Sequence, residues 1–443
     1  MKNIAILLTL QLLAVAIHVY PQGAMIFNGE KQSLRGKHIL DIKEDGKGNI
    51  WIISSSKNLN ANEGHLCVYT KKGDWIYFKD SKEIYKQKFT NLQPENNDIM
   101  TCYFRGGMFT FDEKSWKKVT KKTVIENYRI PRKETIHEII RDELNRTWVE
   151  TSNGILLCKD NTFKRYLESV DFFDEWTHFS NGHVYSEQGT FRIIVDEFVK
   201  IADIDYENFR FKGCDIQNRG WYTTDFRDKR DLYFTVSYFS NNNLTQFYYD
   251  LPYVEFHNDM FKVPTFHFMP DNSVLIASGE FIGLMKNDAL TELPFEDLEI
   301  PIDYCFGKVA RNNNEVFIIN YKKNNRKYDD GFEKSRVFLL KYDGTDFSFY
   351  LKNNEIFKSK KTFIQDMHVD TKGNIWLTSG TVQGVRFEDN KSFIARITSP
   401  EDVEIFDTED DLNQSYYNII FEDSQGRVWF GSTFDGIFMY QYE

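Results

Sequence analysis

Three carboxylates in matching columns of a repeated pattern, Asp41, Glu138 and Asp366, are the side chains whose type and placement suggest chemistry. Two carboxyl groups facing one sugar would suit glycoside hydrolysis, one protonating the leaving oxygen and the other acting as base or nucleophile. The competing reading makes them satisfied polar groups or the lining of a wet central channel, and that is the expectation carried forward. No nucleophile with a plausible base, Gly-rich phosphate loop or dinucleotide fingerprint accompanies them. The 9 His are scattered, and no His/Cys/carboxylate cluster has ligand spacing, so neither a metal nor another cofactor is expected.

Cys67, Cys102, Cys158, Cys214 and Cys305 occur singly, without CxxC spacing, and read as free structural thiols. The formal net charge of −11 argues against nucleic acid or an anionic membrane as partner. Lys117-Lys118-Val-Thr-Lys121-Lys122 and Lys358 to Lys361 read as solvated strand ends or loops. The acidic stretch from Glu401 to Asp411 lacks the Asp-x-Asn-x-Gly spacing of a calcium loop.

The elements that would position such residues are announced by a recurring phrase: Asp45-Gly-Lys-Gly48-Asn-Ile-Trp51, Asp370-Thr-Lys-Gly373-Asn-Ile-Trp376 and Asp423-Ser-Gln-Gly426-Arg-Val-Trp429. In each copy a β-rich run leads into Asp, whose carboxylate reaches backbone N–H groups two residues on, and then into Gly, which takes φ > 0 at no steric cost. A second run carries the Trp, and a third opens on Gly: Gly154–Cys158, Gly384–Phe387, Gly436–Tyr440. A unit is therefore a meander of at least three antiparallel strands.

Weaker copies fill the space between. Asp142 to Trp148 keeps the phrase, whereas the stretch from Trp221 to Tyr249 fits least well. About nine units recur at a period of roughly 35 to 60 residues, with seven or eight as alternatives. The fold expected is all-β: a closed β-propeller of four-stranded antiparallel blades, with no long helical periodicity. Both faces of a blade are then covered by neighbours, the Trp column packs between blades, and Met25-Ile26-Phe27 pairs with the final unit to close the ring.

Residues 1–22 read as a secretory signal, with Lys2 ahead of an apolar stretch from Ile4 to Ile17, and residues 23–443 as a single propeller domain. The protein is expected in the periplasm or outside the cell, with no lipoprotein cysteine and no integral membrane span once the signal is removed.

The phrases ending in Trp51, Trp148, Trp376 and Trp429, with the Gly that opens the following strand, resemble the two-component regulator propeller repeat. That resemblance implies a propeller from the extracytoplasmic sensor regions of bacterial hybrid two-component systems, which sense extracellular ligands, often glycans. The family's usual immunoglobulin-like domain, membrane helix and kinase do not follow Glu443, so a stand-alone exported propeller is expected. Sialidase-type Asp boxes are one residue shorter than the spacing here.

The functional expectation is a non-catalytic binding or sensor-like propeller recognising a glycan, peptide or partner protein. The alternative is a carbohydrate-active propeller enzyme, a glycoside hydrolase or polysaccharide lyase. Two long insertions between second and third strands, Ser54 to Glu63 and Tyr321 to Lys334, nominate Asn58, Asn60, Asn62, Lys322, Asn324, Arg326 and Tyr328 as ligand-face residues. The residues Asp45, Gly48, Trp51, Asp142, Trp148, Asp370, Gly373, Trp376, Asp423, Gly426 and Trp429 are read as structural.

Overall fold

In a computed structural model the described residues of the chain form nine four-stranded antiparallel sheets. The structure describes residues 24–27, 38–55, 64–78, 84, 87, 89–95, 99–104, 107–111, 116–141, 146–166, 178–180, 183–186, 189–194, 197–202, 209–214, 219–228, 231–240, 243–249, 265–269, 271–278, 281–293, 304–311, 315–322, 338–344, 346–351, 362–381, 392–406, 417–433 and 436–442. Eight sheets are plain meanders of consecutive strands, here named by their limits: 38–77, 89–120, 136–165, 178–202, 209–249, 265–292, 304–351 and 362–406. The ninth, 417–441, holds three strands of its own and takes its fourth from Ala24–Phe27.

That donated strand is antiparallel to Ile437–Gln441, with Met25 opposite Tyr440, Ile26 opposite Met439 and Phe27 opposite Phe438. Pairing it there satisfies an edge that would otherwise present unbonded N–H and C=O groups.

The apolar core lies between sheets rather than within them. In Ile50–Ser55 every residue is buried, because alternate side chains enter two different interfaces. Ile50 and Ile52 join a cluster with Trp429, Ile437 and Met439 of the 417–441 sheet. Trp51 and Ile53 join one with Phe89, Leu92 and Phe109 of the 89–120 sheet. Val316 and Ile318 against Phe317 and Ile319 divide in the same way. Period-two alternation with both faces covered produces near-continuous apolar runs, as the sequence suggests.

From the 178–202 sheet onward each sheet touches the next in chain order, and 417–441 touches 38–77. The 38–77 sheet touches 89–120, which touches 136–165. Approach between 417–441 and 38–77 is close enough that a Cβ on Gly431 would meet Ile39 Cγ2 at 2.9 Å.

Two expectations are corrected and one weak assignment is met. The third strand of the 362–406 sheet is Ile394–Ser399, not Gly384–Phe387, which lies outside the described residues. Ile394 packs into the interface with 417–441, whereas Ala395 and Ile397 pack into that with 304–351, so this segment has the two apolar faces a central strand needs. The stretch around Trp221, the poorest fit to the phrase but counted among the nine units, is a four-stranded sheet with Trp221 fully buried. Lys121 and Lys122, read as part of a strand end or loop, open a helix, α1, Lys121–Tyr128, capped by Thr120 Oγ1, which accepts from Thr123 N at 3.1 Å.

Deleting residues 24–30 removes the donated strand. With each lost backbone bond worth about 0.5–1.5 kcal/mol net, the loss should total several kcal/mol. A clear fall in the thermal midpoint is expected, and an unchanged midpoint would show the strand to be dispensable.

Candidate functional site

The repeated turn is a carboxylate cage. Asp45 Oδ1 accepts from Lys47 N at 3.0 Å and Asn49 N at 2.9 Å, while Oδ2 accepts from Trp51 Nε1 at 2.8 Å and Asn49 Nδ2 at 2.9 Å. Asp370 repeats this with Lys372 N, Asn374 N and Trp376 Nε1 at 3.0, 2.8 and 2.8 Å. Asp423 does so with Gln425 N, Arg427 N and Trp429 Nε1 at 3.0, 2.9 and 2.7 Å. Gly48, Gly373 and Gly426 have φ of +82°, +87° and +73°, which only Gly adopts cheaply, and each N–H closes the turn on its Asp carbonyl.

The Trp rings pack between sheets. Trp51 meets Phe111 and Trp116, Trp376 meets Phe430 and Tyr440, and Trp429 meets Tyr69 and Trp75, each pair on the following sheet. Trp148 is also buried, whereas Asp142 lies outside the described residues.

The residue two before the Trp was not singled out from the sequence, although it recurs there. It is Asn49 or Asn374, bonded to the Asp, or an Arg lying over the Trp ring. The ring distances are 5.5 Å for Arg146 over Trp148, 5.3 Å for Arg219 over Trp221 and 5.4 Å for Arg427 over Trp429. Arg427 Nε also donates to Asp423 Oδ2 at 2.6 Å.

Side chains from the following sheet hold two of these turns, those of Asp370 and Asp423. Tyr442 OH donates to Asp370 Oδ2 and accepts from Asn374 Nδ2 at 2.7 Å; burial and the neighbouring carboxylate push its phenol well above the usual tyrosine range. Glu422 accepts from Thr371 N at 2.9 Å and Thr371 Oγ1 at 2.6 Å. Glu44 holds Ser424 in the same way, accepting from its N–H at 2.7 Å.

The column nominated for hydrolysis has an architectural use. Asp41 Oδ2 accepts from Leu92 N at 2.8 Å, and Asp366 Oδ2 from Ile420 N at 3.2 Å, each reaching the first strand of the next sheet. Their other oxygens accept from Ile42 N and Met367 N at 2.9 and 3.0 Å. Burial nonetheless raises the Asp41 pKa, outweighing these bonds and Lys43. The Glu138 side chain lies outside the described residues.

What lets these carboxylates reach across is a β-bulge at one position of the first strand. Register skips Leu40, Thr90, His137, Lys212, Gln365 and Asn418 in six different sheets. A bulged residue is unpaired, and its side chain is re-aimed. Thr90 and His137 are exposed, and Gln365 and Asn418 half-buried; Asn418 Oδ1 is buried with no hydrogen-bond partner among the described residues. The bulges lie opposite the ends of the second strands, at the rim where second-to-third connections leave. Hydroxyl, amide and imidazole groups in a column can exchange hydrogen bonds with a polar ligand.

Of the loop-face nominees, Lys322 ends the strand Val316–Lys322, its side chain outside the described residues. Asn58, Asn60, Asn62, Asn324, Arg326 and Tyr328 lie wholly outside them. Ser54, Ser55 and Tyr321 are strand residues, so the connections are 56–63 and 323–337.

Cys67, Cys102 and Cys158 are free and buried, with Cys158 pushed up to about 12 and the other two raised further by burial. Such thiols stay protonated and poorly nucleophilic. Among the described residues no group of three His, Cys, Asp or Glu could hold a metal, and no helix is long and apolar enough to cross a membrane.

Residues 411–434 match the sequence model of the family described as two component regulator propeller, over the third copy of the Asp cage. A comparison with curated protein sequences finds no match. Solved structures similar to this chain include virginiamycin B lyase from Staphylococcus aureus, 12% identical, covering 95% of this chain and 99% of that one with a TM-score of 0.39. YCF48 from Cyanidioschyzon merolae is 11% identical, covering 93% and 97%, with a TM-score of 0.39. The extracellular domain of the hybrid two component system BT4673 from B. thetaiotaomicron is 13% identical, covering 93% and 70%, with a TM-score of 0.33. At such scores these likenesses carry no functional argument, and the architecture rests on the strand order of the chain itself.

If Asp41 serves architecture, Asp41→Ala should cost about 1–3 kcal/mol by orphaning Leu92 N. Asp41→Asn, which keeps an acceptor and removes a half-buried charge, should cost less. Urea unfolding checks both; equal stability of wild type and Asp41→Ala would free the carboxylate for another role.

Proposed function

On a chain that carries a two component regulator propeller repeat, we propose an exported, non-catalytic binding or sensor-like propeller whose nine sheets are the blades of one closed ring. Residues 1–22 are its signal, residues 23–443 its single domain, and the periplasm or cell exterior its place. Its ligand is a glycan, peptide or partner protein, held at the rim where the bulged first strands and the second-to-third connections meet.

The observation that carries this reading is the bulge column. Six first strands break register at one position near that rim, and the skipped residues are mostly polar, among them Thr90, His137, Gln365 and Asn418. The carboxylates next to Gln365 and Leu40 are bonded to backbone of neighbouring sheets, so the column offers neutral hydrogen-bonding groups more than a matched acid and base. Rigid strands holding variable connections are the usual arrangement for recognition. In this reading Asn58, Asn60, Asn62, Lys322, Asn324, Arg326 and Tyr328 supply the variable contacts.

A glycan array combined with a polysaccharide-degradation screen on the mature protein tests the class, with binding and no degradation expected. Once a ligand is found, shortening 56–63 and 323–337 to two residues, the length of the 187–188 connection, should weaken binding at least about tenfold while leaving the thermal midpoint nearly unchanged. Retained affinity would move the site to the opposite rim or the channel, and polysaccharide cleavage would overturn the non-catalytic reading.

A further inference from the structure

The helix α1 and the residues flanking it carry a concentration of positive charge on an acidic protein. Residues 116–133 hold Lys117, Lys118, Lys121, Lys122, Arg129, Arg132 and Lys133 against the single carboxylate Glu126, in a chain of net charge −11. The segment runs from the strand Trp116–Thr120 directly into α1 and on to a turn closed by Glu134 N donating to Pro131 O at 2.9 Å. It lies at the edge of its sheet opposite the bulged strand, and Thr120, paired with Gly107, brings α1 to the rim where the second-to-third connections leave. Lys117, Lys122, Arg129, Arg132 and Lys133 are exposed, and among the described residues the only ion pair they make is Lys122 with Glu126 at 3.9 Å.

Two features show that this charge is placed against local preference. Lys121 and Lys122 occupy the first turn of α1, which has no acidic residue, where the helix dipole disfavours cations. Arg129 caps the same helix at φ 60°, ψ 33°, a left-handed conformation usually given to Gly or Asn. Of the six non-Gly residues with positive φ among the described residues, the other five are Asn or Asp. Local rules broken without local compensation mark positions held for another purpose.

The display is also anchored. Glu134 is buried and pairs with Arg165 Nη2 at 2.6 Å, while Arg165 Nη1 donates to Asn153 O at 2.6 Å, fixing the turn that presents Arg132 and Lys133. Val124 and Ile130 are buried beneath the helix.

We propose that this strand, helix and turn form a docking surface for an acidic polysaccharide, a polymer of repeated carboxylate-bearing sugars. Arg forks match carboxylates bidentately, and Lys supplies point charges along the same path. A lipid surface or a folded acidic protein fits less well. Both call for exposed large apolar side chains, and the two such residues among those described, Ile76 and Ile405, lie on other sheets. Negative charge elsewhere on the chain does not prevent docking, since screening limits its reach to about 8 Å at physiological ionic strength.

The test measures binding of polygalacturonate, dextran sulfate and neutral dextran to the full protein at low and high salt, beside phosphatidylglycerol vesicles. Wild type should bind polygalacturonate, lose it as salt rises, and ignore neutral dextran; dextran sulfate reports whether sulfate substitutes for carboxylate. The variant Arg129→Asn/Arg132→Gln/Lys133→Gln should bind polygalacturonate at least about tenfold more weakly with an equal or higher thermal midpoint. Lys71→Gln/Lys72→Gln, in a turn of another sheet, should bind as wild type. If the triple variant fails to fold, Lys117→Gln/Lys122→Gln carries the same expectation. Unchanged binding by the variants, equal binding of neutral dextran, or binding to vesicles alone would overturn the proposal.

Discussion

A buried Asp carboxylate shared between a turn and an indole is the interaction on which the rest of this structure depends. One oxygen takes two backbone N–H groups and fixes the turn, and the other takes the Nε1–H of the Trp six residues on. A buried charge without partners would cost several kcal/mol. Sharing it this way allows the chain to turn only with Gly at positive φ and with the Trp ring set on the face the next sheet must cover. Local turn chemistry and packing between sheets are thereby one constraint.

The same economy extends around the sheets. Glu44 and Glu422 each grip the turn of the preceding sheet, Asp41 and Asp366 each grip the first strand of the following one, and Tyr442 completes the cage of Asp370. Because the clusters of buried residues lie between sheets, no sheet buries both faces alone, and stability is distributed over nearest-neighbour interfaces. Asp41 and Asp366, polar residues with catalytic looks, are bonded into this scaffold.

The parts legible in the sequence were those written in local chemistry. Asp45, Gly48 and Trp51 announce their turn because each residue type has one physical reason to be there, and Met25-Ile26-Phe27 stood out as an apolar segment needing an edge. The third strand at Ile394–Ser399 was missed because a Gly-led apolar run at 384–387 mimics the pattern, and only the partition of Ile394 and Ile397 between two interfaces separates them. Around Trp221 the phrase keeps Asp215 six residues before the ring and loses only its Gly, replaced by Asn218, and Arg219 two residues before the ring is a further visible signal. The bulge column was invisible, since a skipped register exists only once two strands are paired. Helix α1 is too short for its periodicity to outweigh four lysines.

The most direct test of the central claim is a double-mutant cycle between Asp370 and Trp376, read by urea unfolding. Asp370→Ala and Trp376→Phe each remove one side of the carboxylate–indole bond, and Trp376→Phe keeps most of the ring packing. The account predicts that each single change is clearly destabilising and that the double variant loses less than their sum by about 1–3 kcal/mol, the coupling of a buried charged hydrogen bond. Additivity within about 0.5 kcal/mol would contradict it, showing that turn and interface are built independently.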